Sequence, residues 1–146
     1  MDNMHMPAAE LDVNAPNRAG VTPLAAACVS GHVDVVHALL SRPDTDVNRL
    51  IGLQGVTVLA VATQERYPII VEMLLAHPAI DCTVRTPKGS SLLLLAVESG
   101  HVDIMKLLLR HQDWDLEEVM QTATERARGN PEKIMILEVL GAEVND

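Results

Sequence analysis

A repeat limits this chain more than any other feature. Gly20-Val21-Thr22-Pro23-Leu24 returns as Gly55-Val56-Thr57-Val58-Leu59 and again as Gly89-Ser90-Ser91-Leu92-Leu93, so the three glycines stand 35 and 34 residues apart. Behind each comes an Ala-containing run of helical character, then a second apolar run ending in a Leu pair: Leu39-Leu40, Leu74-Leu75 and Leu108-Leu109. Asp46-Val47-Asn48, Asp81-Cys82-Thr83 and Asp115-Leu116-Glu117 close the units, and Asp12-Val13-Asn14 stands one step upstream in the same register. A period of this length marks small units that cannot bury their apolar faces alone and must stack.

Each unit reads as helix, tight turn, helix and extended excursion. In the first, Thr22 is placed to cap a helix with Pro23 at its first position, and Ser30-Gly31 ends it after about two turns. The second helix is predicted from about His32 to Ser41, with Val33, Val36, Leu39 and Leu40 forming a buried stripe; Val102, Met105, Leu108 and Leu109 repeat it. Helices this short are marginal alone. The composition agrees: 48% of residues are apolar, yet there is one Trp, one Tyr and no Phe, so the core is aliphatic and suits thin stacked layers.

These motifs resemble the ankyrin repeat family: the period, the Gly-x-Thr-Pro-Leu start at Gly20 to Leu24, the turns Gly31-His32-Val33-Asp34 and Gly100-His101-Val102-Asp103, and the Asp-Val-Asn closures. The resemblance covers about residues 11–146. It implies an all-α solenoid of stacked helix-turn-helix units with β-hairpin fingers along one edge, and a concave surface formed by fingers and first helices. The expected organisation is a single ankyrin-repeat domain over 1–146: a lead-in at 1–16, repeats at 17–48, 49–83 and 84–115, and a helical cap at 116–146. The chain departs from the family where Ala25, Ala60 and Leu94 replace the usual His after Thr-Pro-Leu, and where Glu65-Arg66-Tyr67-Pro68 replaces Ser-Gly-His-Val. One extra residue lies between Asn48 and Gly55, in an unusually apolar finger.

After Asp115 the finger is missing. Asp115-Leu116-Glu117-Glu118 predicts a capping box opening a helix to about Arg128, and Gly129-Asn130-Pro131 leads into a last helix ending near Leu140. Glu117, Gln121, Glu125, Arg128 and Glu132 give this cap the polar outer side that a terminal unit needs. Gly141-Ala142-Glu143-Val144-Asn145 reads as the start of another closure.

The net charge of −9 disfavours phosphate backbones and anionic lipid, although residues 49–88 alone carry +1. Cys28 and Cys82 sit in separate apolar runs, as buried thiols of a reducing compartment do, so cytoplasm or nucleus is expected. Met1 to Glu10 lacks the hydrophobic run of a secretory signal, and the longest apolar run, Leu92 to Val97, is far short of the roughly 20 residues that span a bilayer. No His or Cys pair falls at ligand spacing, and no phosphate loop or nucleophile motif appears, so neither metal, cofactor nor catalysis is expected. The resemblance assigns His32 and His101 to structural turns; His77 and His111 follow Leu pairs at helix ends, where an imidazolium is mildly favoured.

What remains is surface. The resemblance maps partner-contacting positions onto Arg18 and Val21 in the first finger and Val29 at the end of the first helix. In the second unit they are Leu53, Gln54 and Val56, with Gln64 and Glu65, and in the third Lys88, Ser90 and Glu98, with Glu125 from the cap; the apolar run of the second finger adds Leu50 and Ile51, since exposed apolar patches mark contacts. Arg18, Arg49, Arg85 and Lys88 would make a basic rim above an acidic floor of Glu65, Glu98 and Glu125. Trp114, just before the closing Asp, is read as packing rather than as a binding hot spot. The expected function is a non-catalytic module binding a protein partner, monomeric when unbound, with no nucleic acid or membrane among its partners. The alternatives are a targeting or regulatory segment of a larger protein, an enzyme among the possibilities, or, with less support, a nucleotide or RNA binder.

Overall fold

The structure, a computed structural model, describes residues 12–144. The three repeated starts form helices α1 (Pro23–Ser30), α3 (Val58–Gln64) and α5 (Leu92–Ser99), and the runs behind them form α2 (Val33–Leu40), α4 (Pro68–Leu75) and α6 (Val102–His111). Two more follow, α7 (Leu116–Ala127) and α8 (Pro131–Val144). The hydroxyls of Thr22, Thr57 and Ser91 accept from the amides of Ala25, Ala60 and Leu94 at 3.2, 3.1 and 3.2 Å, each satisfying one of the donors that a helix start leaves unpaired.

α1 and α5 end at glycines with φ of 71° and 78°, the left-handed conformation that closes a helix cheaply only without a Cβ. In the second unit Arg66 takes that place at φ 60°, which explains how its atypical turn keeps the same geometry. Tyr67 then fills the position of His32 and His101. Its hydroxyl donates to the Val29 carbonyl of the preceding unit at 3.3 Å, as Nε2–H of His101 donates to the Gln64 carbonyl at 3.2 Å. Two different side chains thereby tie the same carbonyl position to the next unit.

The helices stack in two layers. α1, α3, α5 and α7 pack in succession on one side and α2, α4, α6 and α8 on the other, with α8 also reaching α5. One aliphatic core runs through them, and Leu59, Ile70, Leu74, Leu92, Leu93, Ile104, Met105 and Leu108 are wholly buried. Leu39 and Leu40 are only half-buried, because α2 is covered by α4 on one side, whereas Leu74 in α4 lies between α2 and α6.

The closures form a polar ladder on the edge. Asp12, Asp46 and Asp81 each accept from the amide two residues on, at 2.9, 3.0 and 2.9 Å. Asn14 reaches across to the Asp44 carbonyl and the Asp46 amide, and Asn48 to the Ala79 carbonyl and the Asp81 amide, so each asparagine bridges two units with two hydrogen bonds.

The fingers are short: among the described residues the only bridge is antiparallel and pairs Ile51 with Val56. Three expectations are corrected. Asp115 does cap α7, accepting from the Glu118 amide at 3.0 Å, but the capping box is left half-made because the Glu118 carboxylate turns to Arg85. The expected closure at Gly141 is instead the last turn of α8, which continues to Val144. The cap is also less polar than its acidic run suggests: Glu117, Gln121, Glu125 and Arg128 are exposed, but so are Ile134 and Met135. The side chain of Glu132 and residues 1–11, which carry most of the expected lead-in, lie outside the described residues.

Candidate interaction surface

The fingers are built alike, with one insertion. In the first, the Asn17 amide donates to the Val21 carbonyl and the Gly20 amide to the Asn17 carbonyl, both at 2.9 Å; in the third, Thr86, Ser90 and Gly89 make the same pair of bonds at 2.9 and 2.8 Å. Each encloses three residues. In the second, Ile51 and Val56 exchange both backbone bonds at 2.8 and 3.0 Å and enclose four, Gly52 to Gly55. The extra residue therefore enlarges the turn itself and pushes Leu53 outward until it is 99% exposed. Leu50, on the same finger, is 55% exposed. The first two fingers are joined, since the Gly52 amide donates to the Gly20 carbonyl at 2.9 Å.

Two expected contact residues are not on the surface. Ile51 and Ser90 are each 5% exposed: Ile51 stands at the base of its finger and turns into the core, and Ser90 follows the turn glycine at the position where Val21 and Val56 also face inward and are half-buried. Arg18, Val29, Leu50, Leu53, Gln54, Gln64, Glu65, Lys88 and Glu125 are exposed. Glu98 is half-buried and bound by Arg126 at 2.6 Å, so part of the expected acidic floor is neutralised.

Arg85 also leaves the expected free rim. It donates to both oxygens of Glu118 at 2.7 and 2.9 Å and to the Gly89 carbonyl at 2.9 Å, joining the third finger to α7 and holding the Glu118 carboxyl below its usual range. Nothing in the local sequence announced this pairing across 33 residues. Trp114 packs as expected: its indole N–H donates to the Leu108 carbonyl at 2.8 Å, the role that the Thr45 hydroxyl fills toward Leu39 in the first unit. Val35 on α2 and Ile69 on α4 are also exposed, one position apart in the repeat register, and were missed because their neighbours Val36 and Ile70 satisfy the buried stripe.

Cys28 and Cys82 are free and buried; burial pushes the first thiol up to about 12, and burial with the adjacent Asp81 charge pushes the second up to about 11. Both stay protonated and poorly nucleophilic at neutral pH. Nδ1 of His77 accepts from the Ala79 amide at 3.1 Å, fixing that ring in a turn. Among the described residues no three His, Cys, Asp or Glu side chains are grouped to hold a metal ion, and no helix is long and apolar enough to cross a membrane. A hollow of about 150 Å³ between the second and third closures, lined by Cys82, Arg85, Trp114 and Glu118 among others, holds no activated nucleophile, since its thiol is protonated and its arginine and glutamate are engaged with each other.

The models of ankyrin repeats match residues 5–86, as three copies, and residues 88–118, as a further repeat. The chain belongs to the ankyrin repeat family. Ankyrin repeats are a general protein-interaction module. This chain is 34% identical over 90 residues to the ankyrin repeat and KH domain-containing protein mask of Drosophila melanogaster, covering 60% of this chain and 2% of that protein. It is 36% identical over 104 residues to the ankyrin repeat-containing protein NPR4 of Oryza sativa subsp. japonica, covering 71% and 18%. It is 33% identical over 103 residues to the SMC5-SMC6 complex localization factor protein 1 of Bos taurus, covering 70% and 10%. The chain thus spans between a fiftieth and a fifth of the length of these curated relatives.

Proposed function

We propose that this ankyrin stack is a non-catalytic module that binds a protein partner through its finger loops and the concave face of its first helices. The observation that carries the reading is the second finger, where Leu53 is almost wholly exposed and Leu50 more than half exposed on a turn closed by two backbone hydrogen bonds. Bulky apolar side chains held in water gain by being covered, and contact patches are where proteins keep them. The lengths of the relatives also support the second reading, that the stack serves as a targeting or regulatory segment within a larger protein.

The test uses a partner recovered by cross-linking from Leu53→Cys. Leu50→Ser combined with Leu53→Ser should weaken its binding at least about tenfold, because each covered Leu contributes roughly 1.5–3 kcal/mol. Glu72→Ser, exposed on α4 in the opposite layer, should leave affinity unchanged. Calorimetric titration with a thermal melt of each variant reads both. Normal binding by the double Leu variant, with weakened binding by Glu72→Ser, would move the contact surface to the second helices.

A further inference from the structure

The fingertips carry a charge pattern opposite to that of the protein as a whole. Arg18 stands two residues before Gly20, Leu53 two before Gly55, and Lys88 one before Gly89, so the three share nearly one register on successive fingers. All are exposed, as is Arg49 at the foot of the second finger. Arg18, Arg49 and Lys88 make no ion pair with another described residue, whereas Arg85, Arg66 and Arg126 are each paired. In a chain of net charge −9, three cations unpaired among the described residues, on the fingers that flank and carry one exposed leucine, form a local field of the opposite sign. The floor below differs: Glu65 and Glu125 are exposed there, and Arg126 is taken up by Glu98.

We propose that the fingertip row docks an extended acidic segment of the partner protein that carries a bulky apolar side chain to cover Leu53, while other parts of that partner meet the groove. This rests on the interaction reading above and names its partner by chemistry. The cations attract the acidic residues and set orientation, Leu53 supplies the contact that excludes water, and the exposed carboxylates of Glu65 and Glu125 repel the same segment from the groove. Helices of stacked units pack about 10 Å apart, which puts Arg18 and Lys88 roughly 20 Å apart. An extended chain covers that distance with about six residues. The nearly uncovered Leu53 distinguishes this ligand from an oligonucleotide, which would gain from the cations but not from an isolated leucine.

The experiment is selection of random twelve-residue displayed peptides on the immobilised full chain. Enriched peptides are resynthesised and titrated against wild type, Leu53→Ser, the triple Arg18→Glu, Arg49→Glu, Lys88→Glu, and Glu65→Lys, each checked by thermal melt. The expected result is enrichment of net-acidic peptides with at least one bulky apolar residue, whose binding falls about tenfold or more in Leu53→Ser and in the triple variant. Binding to Glu65→Lys should be unchanged or tighter. Enriched peptides of neutral or basic character that still depend on Leu53 would overturn the proposal and leave the module reading standing. No enrichment, or binding insensitive to both finger and groove substitutions, would count against both. A single-stranded RNA twelve-mer that displaces the acidic peptides from wild type but not from the triple variant would overturn the proposal in favour of nucleic acid.

Discussion

Leu74→Ala tests the stacking logic at its centre. Leu74 is wholly buried in α4, which packs on α2, α3 and α6, so no neighbouring face can relax toward solvent to fill the space. Removing three carbons forfeits about 0.8 kcal/mol for each, or roughly 2.4 kcal/mol of transfer free energy. The residual cavity carries the total toward the upper part of the range of about 2–5 kcal/mol seen for such truncations. At a urea slope of about 2 kcal/mol/M, the unfolding midpoint should fall by roughly 1–2.5 M. Leu53→Ala removes the same atoms from a 99% exposed side chain and should leave the midpoint unmoved. Equilibrium urea unfolding followed by far-ultraviolet circular dichroism measures both. A Leu74→Ala midpoint within about 0.3 M of wild type would refute the assigned register of α4 and the claim that central units are stabilised by cover on both sides.

Two further outcomes follow from individual sites. Gly31 and Gly89 both hold positive φ, at 71° and 81°, but a Cβ on Gly31 would lie 2.9 Å from the Tyr67 ring while one on Gly89 would meet open space. Gly31→Ala should therefore destabilise by more than the roughly 1 kcal/mol of strain expected for Gly89→Ala, and Tyr67→Ser should restore near-equality in thermal melts. The cysteines give a pH dependence: folding raises their pKa, so unfolded thiols ionise first, and stability that is complete below about pH 8.5 is lost as pH rises toward about 11 and 12. The expected slope in urea midpoints is up to roughly 1 kcal/mol per pH unit per thiol, and Cys28→Val should reduce it; a flat profile between about pH 9 and 10.5 would show the thiols to be ionisable in place.

The helices were legible because the repeat aligned three copies of each signal. Thr22, Thr57 and Ser91 mark starts, Gly31 and Gly100 mark ends, and only Arg66 needed the structure to show that it occupies the glycine's conformation. The fingers were legible in place but not in orientation. Ile51 and Ser90 were assigned to the surface by register, whereas the side chains at the feet of these turns face the core, and no sequence period reports that within two residues. Arg85–Glu118 and Glu98–Arg126 join residues 33 and 28 positions apart, distances over which the repeat carries no charge information. The end of α8 was misread because Gly141 resembles a closure glycine, yet here it continues a helix opened by Pro131.

The central claim is that this ankyrin stack meets a protein partner with its finger side. Hydrogen-exchange mass spectrometry of the chain with and without the cross-linked partner's purified protein tests it most directly. The account predicts added protection in the peptides spanning Asn17–Val21, Arg49–Val56 and Thr86–Ser90, with α2, α4 and α6 unchanged. Protection confined to those second helices, with the fingers exchanging as in the unbound chain, would contradict it.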